Sequence, residues 1–329
     1  MDTTISQQIH HESIIIDGLN ASWFLEPQVL HNLHRGGITA VNATIAAWHN
    51  PTETLAMLGD VYALFAQHTD LIIPVHTTAD IATAHRTQRT GMILGFQDTS
   101  PIGDNARLLA VYHQLGVRII QLTYNHPNLV GTGCMAPEDT GLTAFGQTVV
   151  AEMNRLGILV DLSHCGQRTT LDAVAASAQP VAITHANPKA LCDVPRNKTD
   201  EAFKAVAARG GVVGAVVFPL MLTGRFDATL DDYIRTIDYL VNLVGIDHVG
   251  LGPDFMEHMP REVAMQVLKG LPPEMMEAFL NAPPTVGFAS IAECAQVTQA
   301  LVVRGYTRAQ VQQILGGNWL RLYQTVWHT

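Results

Sequence analysis

Charged residues are scarce in this sequence, and basic residues are fewer than acidic ones. Only 15% of the 329 residues are charged, and 19 basic residues against 29 acidic ones give a formal net charge of −10. Disordered chains need more charge and less apolar content than this. Nucleic-acid-binding proteins normally carry a basic stripe, and no cluster of Lys and Arg occurs here. We therefore expect a globular protein that does not bind nucleic acid.

Long apolar runs and export signals are also missing. The longest apolar run, GVVGAVVFPLML at residues 211–222, has 12 residues, whereas a helix that spans a bilayer needs about 20. The N-terminal segment MDTTISQQIHHES lacks the basic and apolar regions of a signal peptide. The four cysteines are widely spaced without a C-x-x-C pair, so we expect them to be reduced. These features predict a soluble, cytoplasmic protein without a membrane segment.

The sequence does contain a regular alternation of short apolar runs and amphipathic stretches of helical length. Most of the runs are continuous rather than alternating, as expected for parallel strands that are covered on both faces. The strand candidates are residues 13–17, 38–46, 71–75, 92–97, 118–124, 158–164, 181–185, 211–218 and 248–255. Several helical stretches end at a glycine, such as Gly157. Repeated strand–helix units of this kind predict a parallel sheet.

Nine strand candidates fit a TIM-like (β/α)8 barrel with one extra strand, for which we choose LIIPV at residues 71–75. A doubly wound open sheet is the alternative, and the lack of G-x-G-x-x-G after the first strand makes it less favoured. No linker interrupts the pattern, so we interpret residues 1–329 as a single barrel domain. Residues 259–287, rich in Met and Pro, predict an irregular excursion, and their Met pattern favours packing over a lid.

Polar residues follow several of the strand candidates, at the end of the barrel where such folds carry their chemistry. His164 and His185 end successive strands, so we expect their imidazoles to converge and to bind one metal ion. A single histidine is more often a hydrogen-bonded polar residue than a metal ligand. Metal binding is favoured here because both histidines stand at the ends of successive strands. Gln97 ends another strand. Asp161 is interpreted as a residue that does not bind the metal itself but fixes the orientation of a metal-binding side chain.

Three further residues near these strand ends are candidates for the chemistry. Asp254 follows the last strand and could accept a proton from a metal-bound water, although a helix cap or loop carboxylate is the alternative. Arg196 could bind a substrate carboxylate through two parallel hydrogen bonds, or it could be a surface residue. Cys165 is more simply a small buried residue than a nucleophile, because no separate base is recognisable beside it.

Four stretches resemble the membrane (renal) dipeptidase family, which consists of zinc metallopeptidases of the amidohydrolase superfamily. They are GLTAFGQTVVAEMNRLGILVDLSH at 141–164, ITHANPKALCDVPRN at 183–197, HVGLGPDF at 248–255 and LGGNWLRL at 315–322, within a match from residue 14 to residue 322. The resemblance implies a TIM-like barrel, and it makes His164 and His185 ligands of one of two zinc ions. It also makes Arg196 the partner of the substrate carboxylate, and Asp254 an aspartate close to the metals and to the substrate amine.

The sequence departs from the family at the second zinc. The family's D-G-H-N-D corresponds to DGLNA at residues 17–21, so the His and Asp ligands are missing. Gln97 stands where the family has a bridging glutamate, and Tyr124 replaces a histidine that contacts the substrate; His126, two residues on, is not positioned to substitute. Two zinc ions bring a charge that these neutral groups and Asp254 cannot balance. We therefore reject a two-metal site.

The favoured interpretation is a hydrolase with one zinc ion that cleaves an amide bond in a small-molecule or dipeptide-like substrate with a carboxylate. In it Asp254 is the base, Tyr124 stabilises the oxyanion, and Gln97 or a water completes the metal shell. The candidate metal ligands are His164, His185 and Gln97. The candidate catalytic residues are Asp254 and Tyr124. The candidate substrate-binding residues are Arg196, Asn20 and Asn125.

The alternative interpretation is a metal-free descendant of the family that binds or transforms a small carboxylate metabolite. Gln97, Asn20 and Tyr124 together would form a neutral hydrogen-bonding pocket for it. Sensitivity to a chelator distinguishes the two interpretations, because only the first requires an ion. The low charge fraction and the apolar C-terminal region also suit a homodimer.

Overall fold

Nine parallel strands form the centre of the computed structural model, which describes residues 3–269 and 273–327. The strands are β1 (Ile16–Asn20), β2 (Ala40–Ala46), β3 (Ile72–Pro74), β4 (Thr90–Phe96), β5 (Val117–Gln121), β6 (Leu159–Asp161), β7 (Ala182–Ile183), β8 (Val212–Ala215) and β9 (Val249–Leu251). All seven residues of β4 and all five of β1 are buried, as expected when helices cover the outside of a parallel sheet.

Helices follow almost every strand and form the outer layer. They are α1 (Thr3–Glu12), α2 (Pro27–Arg35), α3 (Pro51–Gln67), α4 (Thr78–Thr87), α5 (Leu108–Gln114), α6 (Ala144–Leu156), α7 (Gln167–Ala176), α8 (Asp200–Ala208), α9 (Pro219–Leu222), α10 (Leu230–Val244), α11 (Arg261–Val267), α12 (Pro273–Leu280), α13 (Cys294–Arg304), α14 (Arg308–Gln312) and α15 (Asn318–Val326). Within the described residues, no helix combines the length and the apolarity needed to cross a membrane.

Eight of the strands follow one another around a ring in the order β1-β2-β4-β5-β6-β7-β8-β9. The ring closes where the Ala21 N–H donates to the Phe255 carbonyl (2.8 Å) and the Asp254 N–H donates to the Leu19 carbonyl (3.1 Å). The remaining strand, β3, pairs with the first half of β4, while β5 pairs with its second half. This topology confirms the TIM-like (β/α)8 barrel, and it confirms residues 71–75 as the extra strand.

The C-terminal helix α15 fills the amino end of the barrel. Trp319 is fully buried among side chains from the amino ends of the strands, and its indole N–H donates to the Leu251 carbonyl (2.9 Å). A Cβ atom at Gly18 or Gly250 would lie 2.6 Å or 2.4 Å from the Trp319 ring. Only glycine therefore allows this close approach. The opposite, carboxyl end of the barrel stays open for a site.

Several strands end earlier than the apolar runs predict. β6, β7 and β9 end at Asp161, Ile183 and Leu251, so the candidate residues that follow them stand in loops. After β6 the Asp161 carboxylate accepts hydrogen bonds from the Ser163 backbone N–H (3.0 Å) and hydroxyl, which turns the chain out of the sheet. In the predicted excursion, residues 259–287, the structure contains α11 and α12; residues 270–272 of that segment lie outside the described residues.

Candidate active site

The loops at the carboxyl ends of the strands surround a cavity of about 430 Å³. This is the end of the barrel at which enzymes of this fold carry their active sites. Apolar side chains form most of its walls, among them Trp23 and Trp48. Its polar lining includes Gln97, Tyr124, Asn125, His164, Arg196 and Asp254. The structure therefore brings six of the predicted site residues to one cavity.

The two predicted metal-binding histidines point at each other. The Nε2 atoms of His164 and His185 are 3.0 Å apart, and His185 is completely buried beneath the cavity. The His164 Nδ1 atom lies 2.7 Å from the amide oxygen of Asn125, which can only accept, so Nδ1 carries the hydrogen. The His185 Nδ1 atom donates in the same way to the Thr184 hydroxyl (2.7 Å), whose own hydrogen goes to Asp161 (2.6 Å). With both Nδ1 hydrogens bound in this way, both Nε2 atoms are left as acceptors, 3.0 Å apart.

Electrostatics keep this pair in the form that binds metal. Burial lowers the pKa of both imidazoles well below the ordinary value, and the neighbouring Arg196 guanidinium lowers it further. Both rings are therefore neutral near pH 7, which leaves a lone pair free for a cation. Two zinc–nitrogen bonds at a tetrahedral angle separate the nitrogens by about 3.3 Å, close to the spacing found here.

Asp254 stands in a loop with an unusual backbone conformation. Its φ is +63°, in the left-handed region that L-residues seldom adopt, and a carboxylate held so at a cavity indicates function. Burial raises the pKa of the carboxyl to about 7, although the Arg196 charge opposes this rise. The next helix, α11, begins seven residues later, so Asp254 does not cap it. Its carboxyl group can therefore take up and release a proton near neutral pH.

Arg196 is buried rather than a surface residue. Its two terminal nitrogens donate to the Ser163 (2.7 Å) and His185 (2.8 Å) backbone carbonyls, which hold the guanidinium at the cavity floor. Sequence reasoning overlooked Lys198, two residues on, although the PRNK run contains it. Lys198 is fully buried, burial lowers the pKa of its amine, and it donates to the Cys165 carbonyl and the Thr170 hydroxyl. Two basic groups therefore lie close to the histidine pair.

The aromatic neighbours of His164 hold its ring in place. The Tyr124 ring stacks on the His164 ring with centroids 4.2 Å apart, and Trp48 packs edge-on against Tyr124 at 4.8 Å. Burial raises the pKa of Tyr124, so its hydroxyl stays a neutral hydrogen-bond donor. On the other side, the Gln97 amide nitrogen donates to the Thr44 hydroxyl (2.8 Å), which fixes the orientation of the amide.

The structure does not bring Asn20 to the cavity. Its side chain is completely buried, donates to the Asp17 carboxylate (2.9 Å) and accepts from the Ser22 backbone N–H (2.9 Å), so it shapes the loop after β1. Asn125 does line the cavity, but its amide oxygen is committed to His164. Sequence reasoning missed this orienting role, although the position of Asn125 directly after Tyr124 could have indicated it.

The metal donors that the structure places together are the two imidazole nitrogens of His164 and His185. Among the residues that the structure describes, no group of three His, Cys, Asp or Glu side chains is placed to hold a metal ion. Leu19 and Ala21 stand where the family that the sequence resembles has the His and Asp ligands of its second zinc, and neither of these side chains can bind a metal ion. The imidazole pair alone matches two corners of a tetrahedral site, and further ligands would come from neutral groups such as Gln97 or from water.

Cys165 shows none of the properties of a nucleophile. It is 1% exposed, and burial raises the pKa of its thiol to about 11, so it stays protonated at neutral pH. The other three cysteines are likewise free thiols. The prediction that Cys165 is a small buried residue rather than a nucleophile therefore agrees with the structure.

Known proteins resemble the chain over nearly its whole length. An amidohydrolase from Pseudomonas aeruginosa superimposes with a TM-score of 0.92 at 36% identity, with 98% of this chain and 99% of that chain covered. A metallo peptidase from Rhodobacter sphaeroides, liganded with a phosphinate mimic of the dipeptide L-Ala-D-Ala, superimposes with a TM-score of 0.80 at 21% identity, with 96% and 100% covered. The second likeness shows the fold alone.

Curated sequences point to the same group of proteins. Dipeptidase aclJ of Aspergillus oryzae is 30% identical over 286 residues, which are 84% of this chain and 61% of that protein. Dipeptidase tcpJ of Claviceps purpurea is 25% identical over 83% of this chain and 60% of its own length. The chain thus spans about three fifths of these two relatives. Residues 7–271 match the family described as membrane dipeptidase, peptidase family M19. The chain therefore belongs to the membrane dipeptidase family, whose members are dipeptidase-type metallohydrolases.

Proposed function

We propose that the chain is a dipeptidase-like hydrolase that cleaves an amide bond in a small substrate with a carboxylate, and that it uses one zinc ion. The observation that carries this proposal is that the Nε2 atoms of His164 and His185 lie 3.0 Å apart at the carboxyl end of the barrel. Both Nδ1 atoms are held by oxygen acceptors, as in most histidine metal sites. A bound zinc would supply a Lewis acid and lower the pKa of a bound water toward 7.

The chain's own residues supply the remaining functions. Arg196, fixed by two backbone carbonyls, presents its remaining N–H groups to a substrate carboxylate. Asp254, whose pKa is about 7, accepts a proton from the attacking water and returns it to the leaving amine. Tyr124 donates its hydroxyl hydrogen to the negative charge that develops on the carbonyl oxygen. Membership of a zinc-dependent dipeptidase family supports this assignment.

Metal titration of the purified chain tests the proposal. After chelation we expect about one Zn²⁺ or Co²⁺ to bind per chain, and His164→Ala and His185→Ala to abolish this binding. Gln97→Glu supplies the carboxylate that the family has and should tighten binding by about tenfold or more. The matched control is His126→Ala, which removes an exposed histidine from the neighbouring loop and should change nothing. Zinc below about 0.1 per chain in protein purified without chelators, with no binding on titration, would contradict the proposal.

A metal-free function is the second candidate, and one observation favours it. The charges of Arg196 and Lys198 lie close enough to lower the pKa of His185, so they also disfavour a cation bound there. In this case the cavity binds a small carboxylate metabolite without zinc. A chelator would leave ligand affinity and turnover unchanged, whereas Arg196→Ala or Asp254→Asn would abolish them. Activity that is lost with a chelator and restored by zinc rules this candidate out.

The location and the assembly of the protein stay predictions from the sequence. The proposal includes a cytoplasmic location, a small-molecule partner, and neither a nucleic-acid nor a membrane partner. A homodimer is expected from the low charge fraction. Size-exclusion chromatography with light scattering tests the dimer, and a monomeric mass across the accessible concentration range would contradict it.

A further inference from the structure

A second cavity of about 370 Å³ lies directly beside the first one. Asp254 lines both cavities, whereas Arg196 and His164 line only the first. The shared wall also contains Phe218 and Phe279, whose rings stack with centroids 4.2 Å apart. The two cavities therefore adjoin at Asp254, and residues of α11 and α12 line the second one.

Apart from Asp254, the polar side chains that line the second cavity have hydrogen-bond or ion-pair partners of their own. The Glu257 carboxylate accepts hydrogen bonds from the Asn32 amide and from the Ile291 backbone N–H (2.7 Å). Thr285 donates its hydroxyl hydrogen to the Val217 carbonyl (2.6 Å), and Arg261 pairs with Glu277 at the surface (2.8 Å). The other lining residues are mostly apolar, so an apolar group can be buried against them without breaking these hydrogen bonds.

We propose that the substrate carries, on the acyl side of its amide bond, an apolar group larger than a phenyl ring that enters the second cavity. This inference rests on the proposed function, which places the substrate carboxylate at Arg196 and the amide bond near Asp254. The part of the molecule that reaches past Asp254 is then the part farthest from the carboxylate, namely the acyl group. A benzene ring needs roughly 150 Å³, so the second cavity can receive considerably more than one ring.

Binding of N-acylglycines to the chelated protein tests the proposal without relying on catalysis. The probes are N-acetylglycine, N-hexanoylglycine and N-decanoylglycine, which share one carboxylate and differ in their acyl chain. Quenching of the fluorescence of Trp23 and Trp48, which line the first cavity, reports binding. We expect the Kd to fall by about fourfold for each added methylene until the second cavity is filled. A Kd that does not change with chain length overturns the proposal.

Two neighbouring residues of α11 provide matched variants. Ala264 lines only the second cavity and Val263 lines only the first, and both side chains are half-buried. Ala264→Phe should remove the gain from long acyl chains and leave the Kd of N-acetylglycine unchanged. Val263→Phe should weaken all three probes by a similar factor. The reverse pattern overturns the proposal, and Ala282→Phe, which also narrows the second cavity alone, serves if Ala264→Phe does not fold.

Failure of this inference and failure of the proposed function give different results. Tighter binding of longer acyl chains, with no release of glycine by the zinc-loaded protein, supports the second cavity and contradicts amide hydrolysis. Release of glycine from N-acetylglycine at a rate and affinity that longer chains do not improve supports hydrolysis and overturns the role of the second cavity.

Discussion

Replacing Asp254 by Asn should stabilise the metal-free protein above neutral pH and have little effect on its stability near pH 4. Asn has almost the same shape and tolerates the left-handed backbone of this position, so the main change is the loss of a titrating charge. Burial raises the pKa of the folded carboxyl to about 7, against 3.8 in the unfolded chain. Between about pH 4 and pH 7 the folded wild type therefore holds a proton that the unfolded chain has released. Its free energy of unfolding falls as the pH rises across this range, and the contribution of the proton is fully lost above about pH 7.

The size of the effect follows from these two pKa values. Their difference corresponds to an upper limit of about 4 kcal/mol between acidic and alkaline pH. The side chain partly faces the cavity, where water screens it. We therefore expect the free energy of unfolding of the Asn variant, relative to wild type, to rise by roughly 1–3 kcal/mol between about pH 5 and pH 8. The lowered pKa values of His164 and His185 make both proteins less stable in acid, and this effect cancels in the comparison.

Urea denaturation in the presence of a chelator, repeated across this pH range, measures the difference in free energy of unfolding. Asp254→Ala is the control, because it removes the same charge but places alanine at a φ of +63°. It should be less stable than the Asn variant by about 1 kcal/mol at every pH. A difference between wild type and the Asn variant that is the same at all pH values would refute the reasoning.

Three further variants test individual contacts. Tyr124→Phe keeps the ring stacked on His164 but removes the hydroxyl, so kcat should fall by about tenfold or more while KM and Tm stay unchanged in steady-state and melting assays. Asn125→Leu removes the acceptor of the His164 Nδ1 hydrogen and should weaken zinc affinity about ten- to a hundredfold in competition titrations, whereas Asn125→Asp should not weaken it. Trp319→Phe leaves the Leu251 carbonyl without its donor and opens space beside Gly18, so urea denaturation should show a loss of about 2 kcal/mol; an unchanged midpoint would contradict this.

The barrel was predictable because parallel strands covered on both faces need continuous apolar runs, and such runs are visible in the sequence. The extra strand was predictable as well, and its Pro74 suits a strand outside the ring, because proline cannot donate to a ladder. The convergence of His164 and His185 followed from strand ends that all face one side of the barrel.

Other features depend on contacts that no local pattern reveals. β6 ends at Asp161 because that side chain binds the backbone of Ser163, while the apolar run continues beyond it. Asn20 lies at a strand end like the other candidates, yet its amide turns inward to Asp17. The second cavity is formed where Phe218 and Phe279 meet, and these residues are far apart in the chain, so no periodicity could predict it.

The seam between β1 and the loop after β9 is closed by contacts between residues that are far apart in the chain. The Ser22 hydroxyl reaches the Phe255 carbonyl across 233 residues of chain, and Asp254 is anchored at the same seam. Contacts of such long range form slowly, and until then the first and last strands expose unpaired edges that other chains can capture. A refolded sample with native-like helical content can therefore still contain an open ring.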